Sequence, residues 1–497
     1  MSTFKLTLKH HFTPADKARS DYAYVPFALP DPATRLHIRY RFSAEMSSDE
    51  VSGGNVVDIG LFDPRGREFP GGAGFRGWSG SARREFFVAL TDATPGYTPG
   101  PLPAGEYQVI LGLYRVWEKG VDVEIQVTAK TGDWGLGTGD WGQASGEPQA
   151  QPSSVVSRQS SSFWLRGDLQ SHTVHSDATG TLEQLIAKAR SLDLDFLAVT
   201  DHNTVSHHPF LPALAGDDLL LIRGQEVTTY YGHMNVWYTS RWCDFRSRTD
   251  ADIAAIIDLA HSEGALCSIN HPKQGGPAWE YTTDLPVDSM EVWQGPWPHR
   301  NTESLALWDR LLAQGRRLPA VGGSDYHCPS GEDTNLLRLG QPTTWVKVHE
   351  RSVEAVLAAI AAGRATISAT PDGPRIELSA TVNGNTVGMG DMVEEWDDGM
   401  MRMRVEVLGG RGKTLHLIAD GDSRFQAQIE DDETVIEADI SVRRYVRPNS
   451  WATWRMRRCH PPRRLTWICA IGGGRYRIRS MCVLLCERCV LCGGKVD

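Results

Sequence analysis

At 497 residues the chain is long enough for about two to four domains. Its content of 41% hydrophobic and 23% charged residues is ordinary for a folded protein in water and allows a sizeable core. A formal net charge of -10 gives no global attraction to nucleic acid or an anionic membrane, so phosphate chemistry would need local positive charge such as a bound metal.

The opening segment Met1-Ser-Thr-Phe-Lys-Leu-Thr-Leu-Lys-His-His-Phe12 alternates polar with apolar residues and lacks the apolar run of a secretory signal. No stretch approaches the roughly 18 consecutive apolar residues of a membrane span, so a cytoplasmic location is the expectation. Leu36, Ile38 and Tyr40 alternate with His37 and Arg39, the period of a half-buried strand. Similar runs at Val56–Phe62, Glu85–Leu90, Tyr107–Val116 and Val121–Val127, separated by Gly/Pro turns, predict an N-terminal β-sandwich over residues 1–130.

Residues 131–162 turn to Gly, Ser, Gln and Pro, with a duplicated Gly132-Asp-Trp-Gly135 and Gly139-Asp-Trp-Gly142; they read as a flexible linker. Over 163–370 strands alternate with helices. Thr181-Leu-Glu-Gln184 fits a capping box, and Leu182, Leu185, Ile186 and Ala189 follow at helical spacing. Strand-like runs at Phe196–Thr200, Leu219–Arg223, Leu266–Ile269 and Leu318–Val321, with helical runs at Ala251–Ala260 and Ser304–Leu312, predict a mostly parallel α/β sheet. Alternation returns at Met401, Met403, Val405 and Val407, predicting a small C-terminal β domain over 371–442.

Beyond Arg443 the composition changes abruptly, with twelve arginines and six of the nine cysteines in 443–497. Cys482, Cys486, Cys489 and Cys492 are spaced too tightly for an ordinary zinc ribbon, and apolar periodicity stops there. The composition favours an unstructured or out-of-frame tail over a zinc-knuckle or RNA-binding module.

The histidines are uneven: 11 of 16 lie between residues 172 and 349. Those at 172, 202, 271 and 327 each sit where a buried strand gives way to a loop, as do Glu226 and Asp325. In a β/α barrel such strand ends converge on one face. Imidazole with carboxylate suits zinc, manganese or iron without thiolate. His10, His11, His37, His207, His208, His349 and His416 read as ordinary surface or hydrogen-bonded residues.

Gly167-Asp-Leu-Gln-Ser-His-Thr-Val-His-Ser-Asp177, Thr200-Asp-His-Asn-Thr204, Gly224-Gln-Glu226, Asn270-His-Pro272 and Gly323-Ser-Asp-Tyr-His327 occur in that order. Together they resemble the PHP (polymerase and histidinol phosphatase) superfamily over about residues 163–370. With Glu291-Val-Trp-Gln-Gly-Pro-Trp297 the chain looks similar to the branch of carbaryl-type hydrolases and PHP phosphoesterases. The resemblance implies a distorted (β/α)7 barrel holding two or three divalent ions (Zn, Mn or Fe). His172, Glu226 and Asp325 would surround one ion, Asp177, His202 and His327 a second, and Glu226, His233 and His271 a third. The first motif departs from the family's His-x-His by carrying Gln170, a neutral and weaker donor.

The expected function is therefore a PHP-type hydrolase, foremost a phosphoesterase using a metal-bridged hydroxide, with His202 and Asp325 as catalytic residues. Lys273 and Arg300 are candidates for binding a substrate anion, and Trp293 and Trp297 for lining the pocket. The expected partner is a small-molecule phosphoester or ester, with nucleic acid relevant only as a nucleotide substrate; oligomeric state is left open. The alternatives are a carbamate or carboxylic ester hydrolase on the same centre, a non-catalytic structural PHP domain, and a binding protein whose β domains recognise a sugar or surface partner.

Overall fold

The structure is a computed structural model and describes residues 2–46, 54–132, 161–274, 278–328, 336–382, 384–393 and 400–451. The N-terminal strands are β1 (Ser2–Phe12), β2 (Tyr22–Leu29), β3 (Ala33–Phe42), β4 (Val56–Phe62), β5 (Phe75–Gly80), β6 (Glu85–Ala89), β7 (Gly105–Arg115) and β8 (Val121–Thr131), with one short helix α1 (Pro14–Arg19). They form two four-stranded sheets, β1-β8-β3-β6 and β2-β7-β4-β5. Every second residue of β8, from Val121 to Ala129, points inward and meets Leu36, Ile38 and Tyr40 of β3 in one core. This period-two burial is what packs two sheets face to face.

The central segment carries β9 (Phe163–Asp168), α2 (Leu182–Ser191), β10 (Phe196–Val199), α3 (Leu211–Leu214), β11 (Leu220–Thr229), β12 (Gly232–Trp237), α4 (Asp250–Ser262), β13 (Leu266–Asn270), β14 (Ser289–Gln294), α5 (Asn301–Ala313), β15 (Ala320–Gly323), β16 (Thr343–Val348), α6 (Val353–Ala361) and β17 (Ala365–Ser368). The capping box at Thr181 and Gln184 forms as its sequence predicts, and Thr249 with Asp252 makes another at α4. All nine strands join one sheet in the order β15-β14-β13-β12-β11-β10-β9-β16-β17.

The sheet curls until its ends nearly meet. Thr344 Oγ1 on β16 accepts from Gly322 N–H on β15 at 2.9 Å and donates to the same residue's carbonyl at 2.8 Å. At the carboxyl ends, Asp325 N–H donates to Gln170 O and His172 N–H to Tyr326 O. These bonds replace the ladder that a fully closed barrel would have.

The architecture differs from the expected seven-stranded β/α repeat. β12 runs antiparallel to both β11 and β13, and β16 runs antiparallel to β9 and β17. The cause is local: Tyr230-Tyr231 turns the chain straight back from β11 into β12, leaving no room for a crossover helix.

The last strands are β18 (Arg375–Val382), β19 (Asn385–Gly388), β20 (Met400–Leu408), β21 (Thr414–Ala419), β22 (Asp422–Gln428), β23 (Glu433–Ser441) and β24 (Val446–Trp451), in sheets β19-β18-β20-β23 and β22-β21-β24. The expected boundary at 443 is corrected here, because β24 pairs with β21 and extends the fold to Trp451. Arg447 explains why this Arg-rich stretch is ordered: its guanidinium donates to both oxygens of Asp309 on α5, at 2.7 and 2.6 Å. The rest of the proposed tail, the cysteine cluster included, and the duplicated Gly-Asp-Trp-Gly segment after Gly132 lie outside the described residues. Among the described residues, no helix is long and apolar enough to cross a membrane.

Met1–Trp451 form one compact unit, and the sandwich is welded to the barrel within it. Phe62, Trp78 and Ile110 of the sandwich share a core with Val227, Met234, Val236 and Phe245. Phe75 stacks on Trp242 with ring centroids 3.7 Å apart. Arg246, held by Asp244, reaches across to Tyr24 Oη and the carbonyls of Arg67 and Glu68.

Candidate metal centre

The carboxyl ends of the barrel strands deliver the polar residues to one place. His172 and Asp177 lie on the loop after β9, His202 after β10, His271 after β13, and Asp325 with His327 after β15. Glu226 and His233 come from the two strands of the β11–β12 hairpin, one diagonal step apart, Glu226 facing Asn235 and His233 facing Thr228. His271 and Asp325 have φ of 26° and 57°, a region that non-glycine residues occupy at an energetic cost. Such strain collects where surrounding structure must hold a side chain in a set direction.

Glu226 is fully buried at the centre. Its Oε2 lies 3.3 Å from His172 Nε2 and 3.1 Å from His202 Nδ1, and its Oε1 lies 3.1 Å from His233 Nδ1 and 3.3 Å from His271 Nε2. His172 Nε2 is also 3.0 Å from Asp325 Oδ1. On the outer side Asp177 Oδ1 stands 3.6 Å from His202 Nε2 and 3.3 Å from His327 Nε2. Donor atoms therefore fall into three groups, each with its atoms within 4.8 Å of one another: His172, Asp177, His202 and His327; Glu226, His233 and His271; and His172, Glu226 and Asp325.

These residues fit divalent ions on a specific observation. Both nitrogens of His172, Oε2 of Glu226, Nε2 of His233 and Oε1 of Gln170 are buried without a hydrogen-bond partner. Buried polar atoms are normally paired. Glu226 Oε1 is met by hydrogen bonds, but Glu226 Oε2 and His172 Nε2 lie 3.3 Å apart without forming one, which suits a cation between them. Gln170 Nε2 donates to Asp325 Oδ1 at 3.2 Å, and this leaves its unpartnered Oε1 as a neutral donor.

The electrostatics are those of a tightly charged nest. Burial opposes ionisation of Glu226, but His202 and the imidazoles bonded to it hold its carboxyl well below the usual range. Asp325 and Asp177 are likewise held low against burial, Asp325 by His327 and His172, Asp177 by His202 and His327. Burial, with His172 beside it, lowers His202 to about 4, so this imidazole is neutral and its nitrogen lone pair available at pH 7.

The two aspartates next to the motifs hold the loops rather than the imidazoles. Asp168 accepts from the backbone N–H groups of Gln170, Ser324 and Gly340, joining the loops after β9 and β15. Asp201 accepts from Thr173 N–H and Oγ1 and from Ser176 Oγ, fixing the loop that carries His172 and Asp177. Residues the sequence did not single out complete this support. Asn270 donates to Glu226 Oε1 at 3.0 Å, and Gln294 to Asp325 Oδ2 at 2.9 Å. Both amides end a strand and lie inside motifs quoted above, Asn270 in Asn270-His-Pro272 and Gln294 in the segment Glu291–Trp297.

Lys273 and Arg300 fall elsewhere than expected. The Lys273 ammonium is buried and donates to Gln294 O and Asn301 Oδ1, and Arg300 pairs with Glu303 on the exposed start of α5. Neither lines the cavity beside the cluster, nor do Trp293 and Trp297, which pack edge to face on each other. A fourth donor group, His261, Cys267 and Asp288, lies apart; Asp288 Oδ2 there is already met by His261 Nε2 and Cys267 N–H.

The cavity holds about 340 Å³. Asp177, His202 and His233 form one end, and the other is built by the N-terminal sandwich. No sequence motif announced that second wall.

No protein-family model and no curated protein sequence matches the chain. Among solved structures it is similar to a two-domain protein containing a predicted PHP-like metal-dependent phosphoesterase from Bacteroides vulgatus. That likeness has 18% identity over 57% of this chain and 88% of that one, with a TM-score of 0.35. It is also similar to an amidohydrolase from Chromobacterium violaceum, at 15% identity over 33% of this chain and 88% of that one, with a TM-score of 0.24. Likenesses at these scores define no family, and the candidate centre stands on its own geometry.

Proposed function

We propose that the chain is a metal-dependent hydrolase that cleaves a phosphoester. The observation that carries this reading is the convergence on buried Glu226 of imidazoles and a carboxylate group from separate barrel strands, with Glu226 Oε2 and His172 Nε2 left unpaired between them. His172, Glu226 and Asp325 would hold one ion, Asp177, His202 and His327 a second, and Glu226, His233 and His271 a third, with Gln170 Oε1 as an auxiliary neutral ligand. Divalent ions supply a Lewis acid for the phosphoryl oxygens and lower the pKa of water, the established use of such centres. The chain's own groups prepare that chemistry. Neutral His202 presents a lone pair, and Asp325, held ionised, presents a carboxylate to the same centre. Asn270, Gln294, Asp168 and Asp201 keep these side chains aimed.

One observation favours a second reading, hydrolysis of a carbamate or carboxylic ester. Among the described residues no Lys or Arg lines the cavity, so the ions alone would meet a phosphoryl group's charge. An uncharged ester asks for less. Purified protein loaded with Mn or Zn should turn over p-nitrophenyl phosphate, its diester or an aryl carbamate, and His202→Ala should abolish that turnover. No turnover of any of the three by protein with stoichiometric metal would leave the non-catalytic alternative standing.

A further inference from the structure

The sandwich-side wall of the cavity is built of aromatic rings around a carboxylate. Tyr22 of β2 stacks on Tyr230 with centroids 5.6 Å apart, Trp78 of β5 meets Tyr22 edge-on at 6.2 Å, and Tyr114 of β7 meets Tyr230 edge-on at 5.0 Å. Asp58 of β4 lies among them, 8% exposed. Its Oδ2 accepts from Tyr230 Oη at 2.6 Å, and among the described residues nothing donates to its Oδ1.

Backbone spacing joins this wall to the metal centre. Glu226 and Thr228 share one face of β11, Tyr230 follows in the turn that ends it, and Thr228 Oγ1 contacts His202 Nδ1. Space for the arrangement is reserved by Gly112 of β7. A Cβ there would stand 2.1 Å from Tyr230 Oη, 2.9 Å from Trp78 Cη2 and 3.0 Å from Asp58 Cβ.

An aromatic enclosure with an anionic oxygen attracts organic cations, because ring faces are electron-rich and the carboxylate adds a full charge. Tyr230 already shows the tendency: the Lys17 ammonium, paired with Asp21, sits 4.6 Å from its ring centroid. Arg83, next to the lining residue Ala82, does not oppose it from within, since its guanidinium is directed to the carbonyls of Val174 and Ser176.

We propose that this wall is a leaving-group subsite for an aromatic alcohol carrying a cationic amine. Asp58 receives the ammonium, and Tyr22, Trp78, Tyr114 and Tyr230 surround the carbon skeleton. The reacting ester then faces Asp177, His202 and His233 at the other end. The role as leaving-group subsite rests on the hydrolase reading; the amine preference itself does not.

Three matched ligands test it: tyramine, 4-ethylphenol and 4-hydroxyphenylacetate, which place a positive, neutral or negative end on one ring. Calorimetric titration of the full chain at pH 8 should give tyramine at least about tenfold tighter binding than 4-ethylphenol, with the carboxylate weakest. Asp58→Asn should bring tyramine to within about twofold of 4-ethylphenol, which is the loss of that one charge. Tyr114→Ala, at a half-exposed position, should weaken both without changing their order. Equal binding of all three, strongest binding of the carboxylate, or an Asp58→Asn protein that keeps the amine preference would overturn the proposal. Amine-selective binding with no ester hydrolysed would instead refute the proposed function and leave the subsite standing.

Discussion

Replacing Asp58 with Asn should make the protein more stable at pH 8 and change little at pH 4. Burial raises the Asp58 carboxyl to about 6, against the opposing hydrogen bond from Tyr230. In the unfolded chain it titrates near ~3.9. Between those values the folded protein keeps a proton that the unfolded chain has released, so stability falls as pH rises through the interval. Above about 6 the penalty is complete, and below about 4 it is absent. Two pH units at about 1.4 kcal/mol each make it about 3 kcal/mol at pH 8. Asn removes the charge, and its amide oxygen can still accept from Tyr230, so most of that energy should be recovered. Thermal melts at pH 8 should rise by a few degrees, on the order of 5 °C. Melts at pH 4 should coincide with the unchanged protein. An Asp58→Asn protein that is less stable at pH 8, or equally shifted at both pH values, would refute the reasoning. A carboxylate kept at such a cost is what a binding site, rather than a packing need, would retain.

Glu226→Gln should weaken metal binding, read by elemental analysis after dialysis, by more than the roughly 10–100-fold expected for Asn270→Ala, because Glu226 belongs to two donor groups and Asn270 only supports it. Equal losses in the two variants would argue against Glu226 as a shared ligand. Removing metal with a chelator should lower the melting temperature, since an ion at 100 times its Kd stabilises the fold by about 2.7 kcal/mol; an unchanged melt would count against a centre coupled to folding. Gln170→His should raise metal content or affinity by adding an imidazole beside Asp325 and His172, and identical content in both proteins would remove Gln170 from the site. Gly112→Ala should destabilise the protein by about 1–3 kcal/mol in chemical denaturation, as overpacking does, and an unaffected variant would mean that Tyr230 moves aside freely.

Part of the candidate cluster was legible because its residues follow short, mostly buried strands, as Phe196–Val199 precedes His202 and Leu266–Asn270 precedes His271. Those strands announce themselves as apolar runs, and their carboxyl ends have only one common face to share. β4 begins and ends where its alternation placed it, at Val56 and Phe62. The β11–β12 hairpin was hidden for a chemical reason: Tyr230-Tyr231 lacks the Asn-Gly or Asp-Gly signal of tight turns, so a repeat of parallel units looked complete. Arg300 resembled an anion ligand by charge alone, and its neighbour Glu303 claims that charge. Asp58 was invisible because its significance comes from Tyr230, a partner 172 positions away, which no local pattern encodes.

The weld between the sandwich and the barrel has a consequence for how such a protein can change. On the proposed function, chemistry and selectivity would be written in different stretches of chain, the candidate metal ligands after residue 170 and most of the enclosing rings before residue 115. On that reading, drift in β4, β5 or β7 would change which alcohol is accepted while every candidate ligand stays in place. The same joint forbids shortcuts: a barrel cut free of its first 130 residues would bare Phe245, Trp242 and Val227 to water and lose half of its cavity.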